Sequence, residues 1–167
     1  ELPESLLEQR ILLVGAGKMG MAMLNGWRSA GFTSDCFMVK EPNPSEALIV
    51  DIAAINPSDE TLHETRPDIV VLAVKPQFAR DVLPSLVPVL SPNTLVVSLL
   101  AGLSISNLSD FLAAHPTIVR TMPNTPAALG IGMTALIASK GVSEQQTEDT
   151  THLMQAVGET VWLNDEK

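Results

Sequence analysis

Aromatic side chains are scarce in this sequence: they make up 4% of its 167 residues, and tyrosine is absent. A core must therefore be packed from Leu, Val, Ile, Ala and Met, which a hydrophobic content of 46% supplies in quantity. Cysteine is nearly missing too. The single Cys36 excludes an internal disulfide, and no CxxC or Cys/His spacing suits a metal. Cys36 reads as small apolar filler at the start of a strand. Positive charge is short, with 10 Lys and Arg against 19 Asp and Glu, a formal charge of -9. Such a surface repels phosphate backbones and anionic lipid, which argues against nucleic acid and membrane as partners. It leaves room for a phosphate-bearing ligand held locally by amides at a helix N-terminus. No apolar run reaches bilayer length, and residues 1–10 lack the basic-then-apolar pattern of a signal peptide. A cytoplasmic protein is expected. His63, His115 and His152 stand apart in polar or element-end contexts and read as surface residues.

What is present is alternation. Short apolar runs at 10–14, 36–40, 68–74, 94–99, 117–120, 131–139 and 160–163 predict strands. Between them, helical spacing predicts helices over 18–30, 45–54, 77–90 (broken or bent at Pro84 and Pro88), 104–114 and 143–156. Runs such as Asp68 to Val74, apolar at nearly every position, suit strands buried on both faces. The pattern predicts an α/β fold: a doubly wound, mainly parallel sheet of Rossmann type in a single domain over residues 10–167, after an N-terminal extension of residues 1–9.

Chemistry enters at the first strand–helix junction. Gly15, Gly17 and Gly20 fit G-x-G-x-x-G, directly after a strand and opening a helix. In that context the first glycine permits the tight turn, the second lets backbone approach a pyrophosphate, and the third lets helix pack on strand. Gly15 to Gly20, including Ala16, Lys18 and Met19, thus form a candidate phosphate cradle. Lys18 also fits a merely solvated first-turn charge. Glu41 lies 21 residues beyond Gly20 at the end of the second strand, near the usual place of a carboxylate that binds the adenosine ribose. A carboxylate there favours NAD(H) over NADP(H). Lys40, Asn43 and Ser45 stand beside it and could turn toward a 2′-phosphate, and Glu41 could instead be a solvated loop charge.

Three further segments are more specific: Leu72 to Gln77 (LAVKPQ), Ser98 to Ser104 (SLLAGLS) and Arg120 to Gly130 (RTMPNTPAALG). Together with the glycine loop, and in this order, they resemble pyrroline-5-carboxylate reductase, which makes proline from its cyclic imine precursor. The resemblance runs from about Arg10 to Leu163. It implies that Ala73, Val74, Lys75 and Pro76, and also Leu100, Ala101 and Gly102, contact the dinucleotide. It places Asn124 and Thr125 near the nicotinamide and Glu41 at the adenosine ribose. Pro123 and Pro126 also fit a rigid loop that only shapes the fold.

Family members normally continue into a helical domain that dimerises and lines the substrate pocket with a Ser/Thr-Gly-Ser-Gly-Pro-like segment. No such segment occurs in these residues. The expectation is a cofactor-binding part of a homo-oligomeric enzyme acting on 1-pyrroline-5-carboxylate. Alone it should be monomeric or weakly associated and little active, with no catalytic residue identified in it. Two other readings stay open: a β-hydroxyacid dehydrogenase-type domain, whose glycine loop is similar, and a non-catalytic NAD(H)-sensing module.

Overall fold

The computed structural model describes residues 2–124 and 132–167. Among these, seven strands form one sheet: β1 (Ile11–Val14), β2 (Phe37–Lys40), β3 (Ile69–Leu72), β4 (Leu95–Ser98), β5 (Ile118–Pro123), β6 (Gly132–Ala138) and β7 (Gly158–Trp162). Their order is β2-β1-β3-β4-β5-β6-β7, and every neighbouring pair is parallel except β5 with β6. The mainly parallel α/β sheet read from the sequence is therefore the one that forms.

Both faces of the first four strands are covered, which is why their sequences carry almost no polar residue. One face packs under α2 (Lys18–Ala30) and α7 (Glu144–Gln155), with Ile11, Leu13, Trp27 and Leu153 in one cluster. The other packs under α4 (Asp59–Thr65), α5 (Ala79–Leu86) and α6 (Ile105–Phe111), with Leu12, Val14, Leu83 and Leu108 in a second. Trp27 is fully buried, stacks on Phe37 at 5.7 Å and donates from Nε1 to Leu153 O at 2.9 Å. The short α1 (Glu4–Leu7) sets Leu6 into the first cluster, and α3 (Glu46–Asp51) sets in Leu48.

Several local expectations change. The helix expected over 77–90 begins as a 3₁₀ turn at Pro76–Phe78, runs through exposed Pro84 as α5, and tightens to 3₁₀ at Val87–Val89, where Pro88 sits. The helix expected to 114 ends at Phe111, because Ala113 and Ala114 take left-handed φ of 52° and 59°. The helix expected over 45–54 closes by Asp51. Helix α4 was not foreseen: it rests on the Ser58 cap, whose side chain accepts from Thr61 N–H, and on Asp59 and Glu60 in its first turn. It buries one apolar side chain, Leu62, too little to show a period.

His115 is not a surface residue. It is 9% exposed, and its Nε2 lies 2.7 Å from Thr94 O and 2.9 Å from Thr117 Oγ1. The left-handed turn before it folds the ring beneath the ends of β4 and β5, a placement that neighbouring residues in sequence do not announce. His63 is exposed and His152 half-buried. Cys36 is half-buried in a 3₁₀ turn just before β2, and its thiol donates to Leu7 O at 3.3 Å.

Candidate functional site

Parallel strands all end on the same side, and a crevice opens there where successive connections leave toward opposite faces. Here β1 leads into α2 on one face and β3 into α5 on the other, so the crevice lies between the ends of β1 and β3. A cleft of about 990 Å³ occupies that place. Gly15 and Gly17 line it, as do Glu41 and Asn43 beyond β2, and Ala73, Val74 and Lys75 beyond β3.

The three glycines differ in what demands them. Gly15 has φ +93°, and a Cβ on it would lie 2.7 Å from Ala73 and Val74 backbone atoms. A Cβ on Gly20 would run into Gly15 O. These two are required by the fold, because they press the loop onto β3 and α2 onto the loop. Gly17 is not. A Cβ there meets nothing within 4 Å, and its φ of -72° suits any residue. The open space beside it is where a ligand's phosphate would come close.

Gly17 is also the N-cap of α2 and gives that helix no side-chain cap. Helices α3, α4, α6 and α7 each start under a serine whose hydroxyl accepts a backbone N–H. The first amides of α2 keep no intrahelical partner and face a dipole-favoured anion position. A bare glycine, free amides and an adjacent void fit a pyrophosphate.

Glu41 fits the ribose. Its Oε1 accepts from Ala16 N–H at 3.3 Å, so the carboxylate sits beside the glycine loop. Its own backbone is held by Asn56, whose Oδ1 accepts from Glu41 N–H and whose Nδ2 donates to Glu41 O, both at 2.8 Å. Lys40, also on the cleft wall, pairs with exposed Asp59 at 3.3 Å. Ser45 Oγ is engaged in capping α3.

The other sequence candidates divide. Ala16 is buried and contributes its N–H; Lys18, Met19 and Gly20 make the first turn of α2. Pro76 is exposed where the 3₁₀ turn opens behind Lys75. Leu100 is 1% exposed and belongs to the core, so only its backbone can face a ligand; Ala101 and Gly102 are exposed beyond β4. Those three stand at the same end of the sheet but do not line this cleft. Asn124 is exposed, and its Oδ1 accepts from Met133 N–H at 3.0 Å, tying the end of β5 to β6. Thr125 lies outside the described residues.

Sequence reading missed Asn56 and Phe78. Asn56 precedes Pro57, a turn-forming pair that marks a loop without revealing what the side chain holds. Phe78 is 50% exposed on the cleft wall, and the available signal was a scarce aromatic placed directly after the Leu72 to Gln77 segment. A smaller depression of about 410 Å³ beside α4 is walled by Asp59, Glu60, His63 and Glu64. Its carboxylates make it a poor seat for phosphate. Among the described residues, no cluster of His, Cys, Asp and Glu could hold a metal ion, and no helix is long and apolar enough to cross a membrane.

Comparison with known proteins agrees with this geometry. Residues 10–102 match the family described as NADP oxidoreductase, coenzyme F420-dependent. The chain is 36% identical over 160 residues to a pyrroline-5-carboxylate reductase of Vibrio alginolyticus, covering 95% of this chain and 59% of that one. Among solved structures, a pyrroline-5-carboxylate reductase of Coxiella burnetii superposes with a TM-score of 0.83 at 27% identity, covering 95% of this chain and 60% of that one. The Plasmodium falciparum pyrroline carboxylate reductase with NADP bound gives 0.82 at 26%, covering 94% and 58%. The chain thus spans about three fifths of the length of the relatives it matches.

Proposed function

Given that this chain belongs to the family described as NADP oxidoreductase, coenzyme F420-dependent, we propose that it is the dinucleotide-binding part of a pyrroline-5-carboxylate reductase. The observation that carries the reading is Gly17: a glycine that the fold does not need, at an uncapped helix start, beside open space. The likeness to pyrroline-5-carboxylate reductases over 95% of the chain supplies the reaction class.

In this reading the loop of Gly15 to Gly20 holds the pyrophosphate through the amides at the start of α2, and Glu41 accepts hydrogen bonds from the adenosine ribose. Ala73 to Pro76 wall the middle of the dinucleotide, with Asn43 beside Glu41. Leu100 to Gly102 and Asn124 approach the nicotinamide end. When bound, the reduced nicotinamide supplies a hydride to the C=N carbon of 1-pyrroline-5-carboxylate. The chain's own share is orientation and exclusion of water on one side of that carbon. The substrate anchor and the proton donor belong to a part of the enzyme beyond these residues. By itself the chain is then a monomer or weakly associated, little active, and cytoplasmic.

NAD(H) is the favoured cofactor and NADP(H) the second. A unit charge about 4 Å from another costs about 4 kcal/mol at an effective dielectric of about 20, and solvent at a half-exposed carboxylate lowers this severalfold. Two tests divide the reading. Calorimetric titration with NADH and NADPH tests the cofactor: no binding of either overturns the whole proposal. For the substrate, the chain is completed with the part of the Vibrio relative outside the match and assayed for 1-pyrroline-5-carboxylate-dependent NADH oxidation. A chimera that binds NADH without oxidising it in the presence of the imine overturns the reaction class alone.

A further inference from the structure

β2 is the outermost strand of the sheet, so one row of its peptide groups lacks a strand partner. Residues 54–56 supply a short substitute. Val39 N–H donates to Ala54 O at 3.0 Å and Asn56 N–H to Val39 O at 2.7 Å, around a parallel bridge between Val39 and Ile55. The substitute stops at Pro57, which has no N–H to offer. Asn56 takes a left-handed φ of 49°, a region asparagine enters more readily than most residues. Its carboxamide is thereby set against the backbone of Glu41, accepting from its N–H and donating to its C=O, both at 2.8 Å. A carboxamide carries the same donor and acceptor as a peptide group. Asn56 therefore stands in for the backbone that β2 lacks at its carboxyl end.

We infer that Asn56 is a positioning residue that sets the nucleotide preference of the cleft by fixing Glu41; this rests on the dinucleotide reading above. With its backbone N–H and C=O both held, Glu41 leaves the strand in one direction, and that direction delivers its carboxylate to Ala16 N–H at 3.3 Å. Few other contacts keep it there. Lys40 Nζ is drawn to Asp59, and Ser45 is engaged in its cap. Without the clamp, the carboxylate is free to swing into solvent, leaving room for a 2′-phosphate beside Lys40. The clamp lies on the cleft wall and belongs to neither core cluster, so its effect on binding is separable from its effect on folding.

Asn56→Gly removes the carboxamide and keeps a residue that accepts positive φ. The first readout needs no nucleotide: amide hydrogen exchange at Ala16, measured by NMR in the free protein. We expect about fivefold faster exchange in the variant, the size of one exposed hydrogen bond, with Val71 in the central strand unchanged. Unchanged exchange at Ala16 overturns the clamp. The second readout is Kd for NADH and NADPH in the parent, Asn56→Gly, Glu41→Ser and the double variant. The expected result is about a fivefold loss of NADH preference in Asn56→Gly and no additional loss in the double variant. Losses that add in the double variant overturn action through Glu41. A parent protein that binds neither nucleotide overturns the dinucleotide reading and the preference with it, while the exchange measurement still decides the clamp.

Discussion

In β1, β3 and β4 every residue is buried, whereas along β7 exposure alternates, with Glu159 and Val161 open and Gly158, Thr160 and Trp162 half-buried. The first group is parallel, with helices over both faces; the second follows the antiparallel β5–β6 pair. The difference explains where the ligand chemistry lies. Parallel strands end together, and each hands its chain to a helix whose N-terminus faces the same crevice. An antiparallel pair turns one strand's end away from that crevice. The cleft accordingly takes its lining from the ends of β1, β2 and β3 and from the loops and α5 beyond them, and none from β5 to β7.

The two regions nevertheless share one apolar cluster, in which Trp27 is the largest fully buried side chain. Trp27 on α2 fills the cluster beneath β1 and β3 and bonds to Leu153 O on α7, which packs beside β7. Truncating it in Trp27→Ala leaves a large void under both regions. The expected loss is about 3–5 kcal/mol in urea unfolding, in one cooperative transition. A loss below about 1 kcal/mol, or two separate transitions, would show that the regions do not share a core.

The glycine loop sharpens the comparison, since it separates what folding needs from what binding needs. Gly17→Val places a branched side chain in the open cradle. NADH affinity should fall about a hundredfold or more, while unfolding free energy falls by no more than about 1 kcal/mol, the cost of a poorer N-cap. Gly20→Ala should do the reverse on stability, costing about 1–3 kcal/mol, because its Cβ meets backbone that cannot step aside. Equal NADH affinity in Gly17→Val and its parent removes the loop from the site.

These contrasts also mark what was legible beforehand. The glycine loop was readable because its demands are local: a strand, a tight turn and a helix start within ten residues. Runs such as Ile69 to Leu72 were readable because two-sided burial leaves no polar position. The strand at β5 was expected to stop at Arg120 but continues to Pro123, since β6 comes back alongside it with Pro123 opposite Thr134. That pairing is set by register against a partner strand and not by propensity. Asn56 and His115 escaped for a related reason. Each is defined by a partner distant in sequence, 15 residues away for Asn56 and 21 for His115, and by a left-handed turn that the sequence marks weakly.

Glu41 gives a smaller, graded effect within the cleft. Glu41→Ser removes the anchored charge and leaves a hydroxyl able to donate to a phosphate. NADPH affinity relative to NADH should rise about tenfold, less than bare Coulomb repulsion implies because the carboxylate is half-exposed. Titration of both nucleotides against both proteins measures it. An unchanged ratio shows that Glu41 is not the selector.

The smallest expected effect belongs to Lys40, which lines that wall next to Glu41. Its ammonium lies 3.3 Å from an Asp59 carboxylate whose side chain is 88% exposed. Such a pair contributes well under 1 kcal/mol, since water competes for both ends. Breaking it with Asp59→Asn should scarcely move stability. It should release Lys40 toward the neighbouring Glu41, where its charge partly cancels the carboxylate that repels a 2′-phosphate. NADPH affinity should then rise about twofold at low ionic strength, NADH affinity should stay level, and the gain should vanish near about 0.5 M salt as screening shortens the reach of the charge. The salt dependence is the discriminating part. A twofold gain that survives high salt would mean that Asp59 acts through the shape of α4, where it stands in the first turn behind the Ser58 cap, and not through the charge it takes from Lys40.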